Sequence, residues 1–291
     1  MSAVGARVWR GRVNETDDAP TRDATVGRPA RLADGAVTGI ILLCGLWLSL
    51  VAAWYTLSAF NFFYAAVYDL AGIGETIETY APTHRYKRGF ETTTREERVA
   101  LFGRILEAVN HGGAGLETIV YSDRDGRPVD TLLRRAEIIH LQDVADLLGR
   151  LRHASWVAGL VFCAALALRG WQAKSLPKPG HATAATVACL AALAALILLS
   201  GAKALFYKWH TLIFPEGHQW FFYYEESLMT LLMKAPDLFA YLAVLLALFS
   251  LGFFYLLLVI VRLLLERNRG RPREAGGGGG NSEGTGDRSE E

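Results

Sequence analysis

The chain reads as an all-α membrane protein: four transmembrane helices with a small extracytoplasmic α+β insert between helices one and two. Three observations predict this. Of its 291 residues, 52% are apolar and only 20% are charged, whereas soluble domains carry about a quarter charged. The apolar residues are gathered into a few long runs. The basic residues crowd the ends of those runs. Mean hydropathy is +0.21 and net charge is +1, which excludes a polybasic nucleic-acid binder and an acidic disordered chain; no nucleic-acid partner is expected.

Residues 1–35 form an Arg-rich, turn-rich head (Arg7, Arg10, Arg12, Arg22, Arg28 and Arg31, with Pro20 and Pro29). No apolar run opens the chain, which argues against an ordinary cleaved signal peptide. Residues 36–60 are uncharged and long enough as a helix to cross a hydrocarbon core of about 30 Å. Trp47 and Trp54 lie inside this run. Tyr55, Phe60, Phe62 and Phe63 crowd its far end, as an interfacial belt would.

Residues 61–153 form the insert. Thr94 and Glu97 have capping-box spacing ahead of Val99, Leu101, Phe102, Ile105, Leu106 and Val109, which repeat with helical period; His111-Gly112-Gly113 ends that helix. Thr118–Tyr121, the Asp125-Gly126 turn and Pro128-Val129 read as a short hairpin. Asp130 is then expected to cap a long helix that runs into the second span. Its stripe, Leu133, Ala136, Val144, Leu147 and Leu151, is centred on His140, with Glu137 and Asp143 about 60° to either side.

The second span is read as residues 154–170 and the third as 182–202, joined by a short link at 171–181. The fourth is 238–265, with Arg262 near its end placed to snorkel. Residues 203–237 are an aromatic segment expected to lie in the headgroup zone. Residues 266–291 are a Gly-rich tail with no apolar area to bury. Arg and Lys flank the head, the 171–181 link and the C-terminal exit. These should therefore be cytoplasmic, with 61–153 and 203–237 on the other side.

Several chemistries are absent from the sequence. It has no Walker loop, no His-Glu-x-x-His, no Cys-x-x-Cys and no Gly-x-Ser-x-Gly elbow. Cys44, Cys163 and Cys189 all fall within spans, poorly placed for a hydrated thiolate. Glu137-x-x-His140 has the spacing of a carboxylate-bridged metal site, but it occurs once.

Histidines remain. His140 reads either as a satisfied core histidine or as an acid–base group oriented by Glu137 or Asp143. His210 reads either as part of the aromatic belt or as a titratable group beside Lys208 at a membrane surface. His218 and Glu216 read as turn residues exposed to solvent. His84, His111, His153 and His181 read as surface residues.

Two blocks resemble a known family. Glu137-Ile-Ile-His140-Leu-Gln-Asp143-Val144 is similar to its Glu-x-x-His-x-x-Asp-Val helix. Phe206-x-x-x-His210-x-x-x-Phe214-x-Glu216-Gly217-x-x-Trp220 is similar to its second block. These blocks, and the layout of one span, an outer domain and three spans over residues 36–266, resemble the bacterial integral membrane lipoprotein intramolecular transacylases (Lit). The resemblance implies a location in the bacterial cytoplasmic membrane, with substrates of membrane lipid and a diacylglyceryl lipoprotein. It implies transfer of an acyl chain from the glyceryl group to the N-terminal Cys amine. His140 and His210 map onto the family's two catalytic histidines, with Glu137, Asp143 and Glu216 in support. Lys208 and the indoles of Trp209 or Trp220 are candidate oxyanion donors by proximity in sequence. No cofactor or resident metal is expected, and the sequence assigns no oligomeric state. Two other readings stand beside this one: a metal-dependent membrane hydrolase using Glu137 and His140, and a non-catalytic protein that binds a lipid or partner.

Overall fold

The computed structural model describes residues 23–269; the remainder of the Arg-rich head (1–22) and of the Gly-rich tail (270–291) lies outside the described residues. The chain is mostly helical. In order it forms α1 (Asp23–Ala59), α2 (Tyr64–Leu70), α3 (Ile73–Tyr80), α4 (Arg95–Asn110), β1 (Val120–Ser122) and β2 (Pro128–Thr131). It continues as α5 (Arg135–Trp171), α6 (Pro179–Ser200), α7 (Ala202–Ile213), α8 (Leu228–Met233) and α9 (Asp237–Arg269). Four of these, α1, α5, α6 and α9, are long and apolar enough to cross a membrane.

Helix α1 is the central strut and packs along both α5 and α9, while α6 leans on α9. Leu193, Leu196, Leu198 and Leu199 of α6 are left exposed, an apolar surface suited to lipid. At one end of the bundle a charged clasp replaces apolar packing. Arg169 is buried to 1% exposure and donates to Asp34 Oδ1 at 2.5 Å and to Thr38; Lys174 reaches the same carboxylate at 2.9 Å. Arg169, which by sequence only marks the end of a span, thus ties α5 to α1. A cation among apolar helices needs such a partner.

Helix α5 is longer than a bilayer is thick. At 1.5 Å per residue its 37 residues extend about 55 Å. Its most apolar part is the run from residue 154 onward. The turns before it form a stem that enters a separate, non-spanning domain, where Leu141 and Ala145 are buried.

That domain is built as the periodicity predicts in its first half. Thr94 Oγ1 accepts from the N–H of Glu97 at 3.1 Å and caps α4, which stops at Asn110. The carboxylate of Glu97 does not complete the capping box; it accepts instead from the N–H of Ser122 at 3.1 Å. β1 and β2 pair antiparallel with Tyr121 opposite Asp130, and Gly126 takes the positive φ of the turn (+77°).

Three readings are corrected. Asp130 does not cap α5; it lies in β2 and binds Lys87 Nζ at 3.1 Å. The cap comes from Glu137, whose Oε2 accepts from the N–H of Arg134 at 2.6 Å. The buried stripe of α5 is Glu137, Leu141 and Ala145, one position round from the expected one, because α4 and α8 cover that side; Leu151 is exposed. Phe62 is no interfacial residue: it is 1% exposed and packs edge-on against Trp54, in a turn where Asn61, Phe62 and Phe63 all take φ near +50°.

His84 is not on the surface either. It is wholly buried, and its Nδ1 accepts from the N–H of Lys87 at 2.9 Å. His111, His153 and His181 are exposed, as read.

The largest departure concerns the latter part of the 203–237 segment. Trp209, Leu212, Phe221 and Tyr223 are exposed, but Phe222, Leu228, Met229, Leu231 and Leu232 are buried in a core cluster, with Leu238. Each such side chain contributes roughly 1.5–3 kcal/mol of apolar burial. A carboxylate secures them: fully buried Glu137 accepts from Ser227 Oγ at 2.5 Å and from the N–H of Met229 at 3.3 Å. The domain is therefore made of two chain segments that meet on α5.

Two outcomes are expected. Glu137→Ala strands the Ser227, Met229 and Arg134 donors and should cost about 3–5 kcal/mol, with Glu137→Gln in between. Melting of the detergent-solubilised variants measures this, and an alanine variant as stable as wild type contradicts the account. The second outcome concerns His84, which burial, Arg134, Arg88 and Lys87 depress to about 4. The folded state then binds fewer protons than the unfolded chain, so stability present above pH 6.5 should fall as pH drops toward 4, by up to about 3 kcal/mol. Melting from pH 7.5 to 4.5 should show a shallower acid loss in His84→Asn; parallel curves contradict it.

Candidate active site

His140 and His210 stand on different supports. His140 sits on the stem of α5. His210 is on α7, a short helix that turns away from α6 at Gly201, where φ is +92°. The loop after α7 brings them together. Phe214 packs against both rings, at 4.9 Å from His140 and 5.3 Å from His210, centroid to centroid. Phe222 also touches His140 at 6.1 Å. Trp220 lies 4.8 Å from His210 and Phe206 lies 4.0 Å from it. The site is thus two imidazoles in an aromatic enclosure.

This enclosure sets their chemistry. His140 Nδ1 is buried with no hydrogen-bond partner. Burial holds the ring down at about 4, the nearby charge of His210 adds to this, and Asp143 opposes it. His140 is therefore a neutral imidazole at pH 7. His210 Nδ1 lies 2.9 Å from the carbonyl oxygen of Phe206, one turn back on α7. A carbonyl only accepts, so Nδ1 carries the hydrogen and Nε2 is left as the basic nitrogen.

The supporting residues divide. Glu137 is turned into the domain core, bound by Ser227, Met229 and Arg134, and does not orient His140. Asp143 does not orient it either. Its Oδ2 accepts from Nδ1 of His218 at 2.7 Å, with Asp143 13% exposed and His218 40%. Trp220 is the one predicted oxyanion donor that packs on His210. Lys208 and Trp209 are exposed, about 160° and 100° round α7 from His210. Glu216 is exposed on the turn closed by the N–H of His218 and the carbonyl of Pro215, where Gly217 takes φ +85°.

His218 is thus the residue that sequence reasoning passed over. The Pro215-Glu216-Gly217 turn was legible, but its pairing with a carboxylate 75 residues earlier was not. Among the described residues no group of three or more His, Cys, Asp or Glu side chains is arranged to hold a metal ion. Two clefts lie elsewhere: one between α5 and α9 beside Trp171 and Arg267, the other beside Arg104 and His111 of the α4 end.

No family model matches the chain, and no curated protein matches it in sequence. Solved structures do match. Three structures of the membrane integral lipoprotein intramolecular transacylase Lit from Bacillus cereus, two of them carrying a substituted histidine, align with TM-scores of 0.57, 0.58 and 0.56 at 16% identity. They cover 84% of this chain and 98–99% of their own. At this identity the likeness is one of fold. It accords with the resemblance read from the Glu137–Val144 and Phe206–Trp220 blocks, and the chain has the fold of this membrane transacylase.

Proposed function

We propose that the chain is a Lit-like membrane acyltransferase that moves an acyl chain from the diacylglyceryl group of a lipoprotein to the α-amine of its N-terminal Cys. The observation that carries this reading is the meeting of His140 and His210 on Phe214, from segments 70 residues apart, within the fold of a lipoprotein transacylase. The basic residues beside the span ends support cytoplasmic termini in a bacterial inner membrane. On that orientation the site opens on the outer face, where diacylglyceryl lipoproteins are presented.

The chemistry follows from the nitrogens. One imidazole accepts a proton from the amine as it attacks the ester carbonyl, and a protonated imidazole delivers one to the departing glyceryl oxygen. Nε2 of His210 and the imidazole of His140 are the two groups suited to these steps. The indole N–H of Trp220, beside His210, is a donor for the tetrahedral oxyanion. The acyl group passes directly between substrate atoms, so no serine or cysteine of the protein is needed.

Expression in a bacterium whose lipoproteins keep their ordinary N-termini tests this. Mass spectrometry of a lipoprotein N-terminal peptide should show the lyso, N-acylated form with the wild-type chain. His140→Ala and His210→Ala should each lower its formation about 100-fold or more while the protein still accumulates in membranes. An unchanged acylation pattern with the wild-type chain overturns the proposal.

A further inference from the structure

The transacylation proposed above leaves one proton unaccounted for. A terminal amine titrates at about 7.7–8.0, so near neutral pH much of it is ammonium. Going from ammonium and ester to amide and alcohol, the C–N bond forms and the glyceryl C–O bond breaks. The nitrogen loses two protons. One ends on the glyceryl oxygen, and the other must leave for water. A pair of histidines can pass the first proton from nitrogen to oxygen and return to its starting state. It cannot absorb the second in every turnover.

His140 and His210 are both partly covered by aromatic rings. His140 lies under Phe214 and Phe222, and His210 is faced by Phe206, Phe214 and Trp220. His218 is differently placed. It sits on the loop between Phe214 and Phe222, the two rings that touch His140. Asp143, which holds it, is one helical turn from His140 on α5, a rise of about 4.5 Å. With Nδ1 donating to Asp143, the basic nitrogen is Nε2. The His218 side chain is 40% exposed, so a proton taken there has a path to water. The Asp143 carboxylate holds the ring in this orientation and tautomer. The ionisable groups on the neighbouring elements include His140, Asp143 and Asp146 on α5, Lys208 and His210 on α7, and Glu216 on the loop itself; Asp143 is the one bonded to His218.

We infer that His218, backed by Asp143, is a third acid–base group of this site, the base that takes the first proton from the substrate ammonium and releases it to solvent. This rests on the transacylase reading, and it makes the amine's protonation state the quantity to vary. Above pH 9 the amine is already free and the export step is not needed.

The test uses the full chain in lipid nanodiscs with a synthetic diacylglyceryl lipopeptide. N-acyl product is followed by mass spectrometry from pH 6.5 to 9.5. His218→Gln should lower kcat/KM about tenfold or more at pH 6.5–7 and recover to within about threefold of wild type at pH 9.5. Asp143→Asn should show the same recovery from a smaller loss, and serves as the second variant should His218→Gln not accumulate. His140→Ala should stay inactive throughout. A working wild type with variants equal to it at every pH, or with a loss undiminished at pH 9.5, overturns the role of His218 alone. A wild type that makes no N-acyl product at any pH overturns the transacylase reading and this inference together.

Discussion

A single buried carboxylate joins the parts of the molecule that matter most. Glu137 is fully buried at the start of α5 and is reached by Ser227, Met229 and the backbone of Arg134. A charge in that position is costly unless its lone pairs are filled. Filling them brings in a segment 90 residues away. Once Ser227 and Met229 are fixed there, α8 lies in the core of the non-spanning domain. The loop that precedes it must then cross α5 near His140. The domain's stability and the arrangement of its site share this joint.

The membrane imposes the second constraint. Each spanning segment must satisfy its own backbone, so the spans are helices, and a cation among them must find a partner. Arg169 finds Asp34 and Thr38, which holds α5 against α1 at one end of the bundle. At the other end Trp54 donates to Asn110 at 2.9 Å, linking α1 to the last turn of α4. His140 therefore rides on a helix anchored in the bundle and in the domain. His210 rides on α7, whose contacts are with α6 and the aromatic loop, and α6 itself is mostly open to lipid. One histidine is mounted on a helix held by both α1 and α4, and the other on a short helix beside the exposed apolar face of α6.

The aromatic enclosure does chemical as well as steric work. It keeps His140 neutral by withholding water, and it leaves its Nδ1 without a protein partner. The backbone carbonyl of Phe206 sets the tautomer of His210. Asp143, expected to orient His140, serves His218 instead, so the site holds one histidine without a partner at Nδ1, one held by a carbonyl and one held by a carboxylate.

The spans, the α4 cap at Thr94, the hairpin around Gly126 and the unbroken α5 were all legible in the sequence. Each is dictated by local physics: apolar runs that match a bilayer, a side-chain oxygen three residues from an N–H, a glycine where φ is positive. His140 and His210 could also be singled out, through the spacing of their blocks. What the local pattern did not hold was which face of α5 is covered, that His84 and Phe62 are interior, and that Leu228–Met233 belong to a core rather than a membrane surface. It did not hold the exchange of partners by which Glu137 takes Ser227 and Asp143 takes His218. That exchange depends on contacts between residues 75 to 92 positions apart. An apolar or charged side chain carries no mark in the sequence of which distant surface will bury or pair it. Only the closed tertiary structure, in which every buried donor and carboxylate competes for the same few partners, makes that choice.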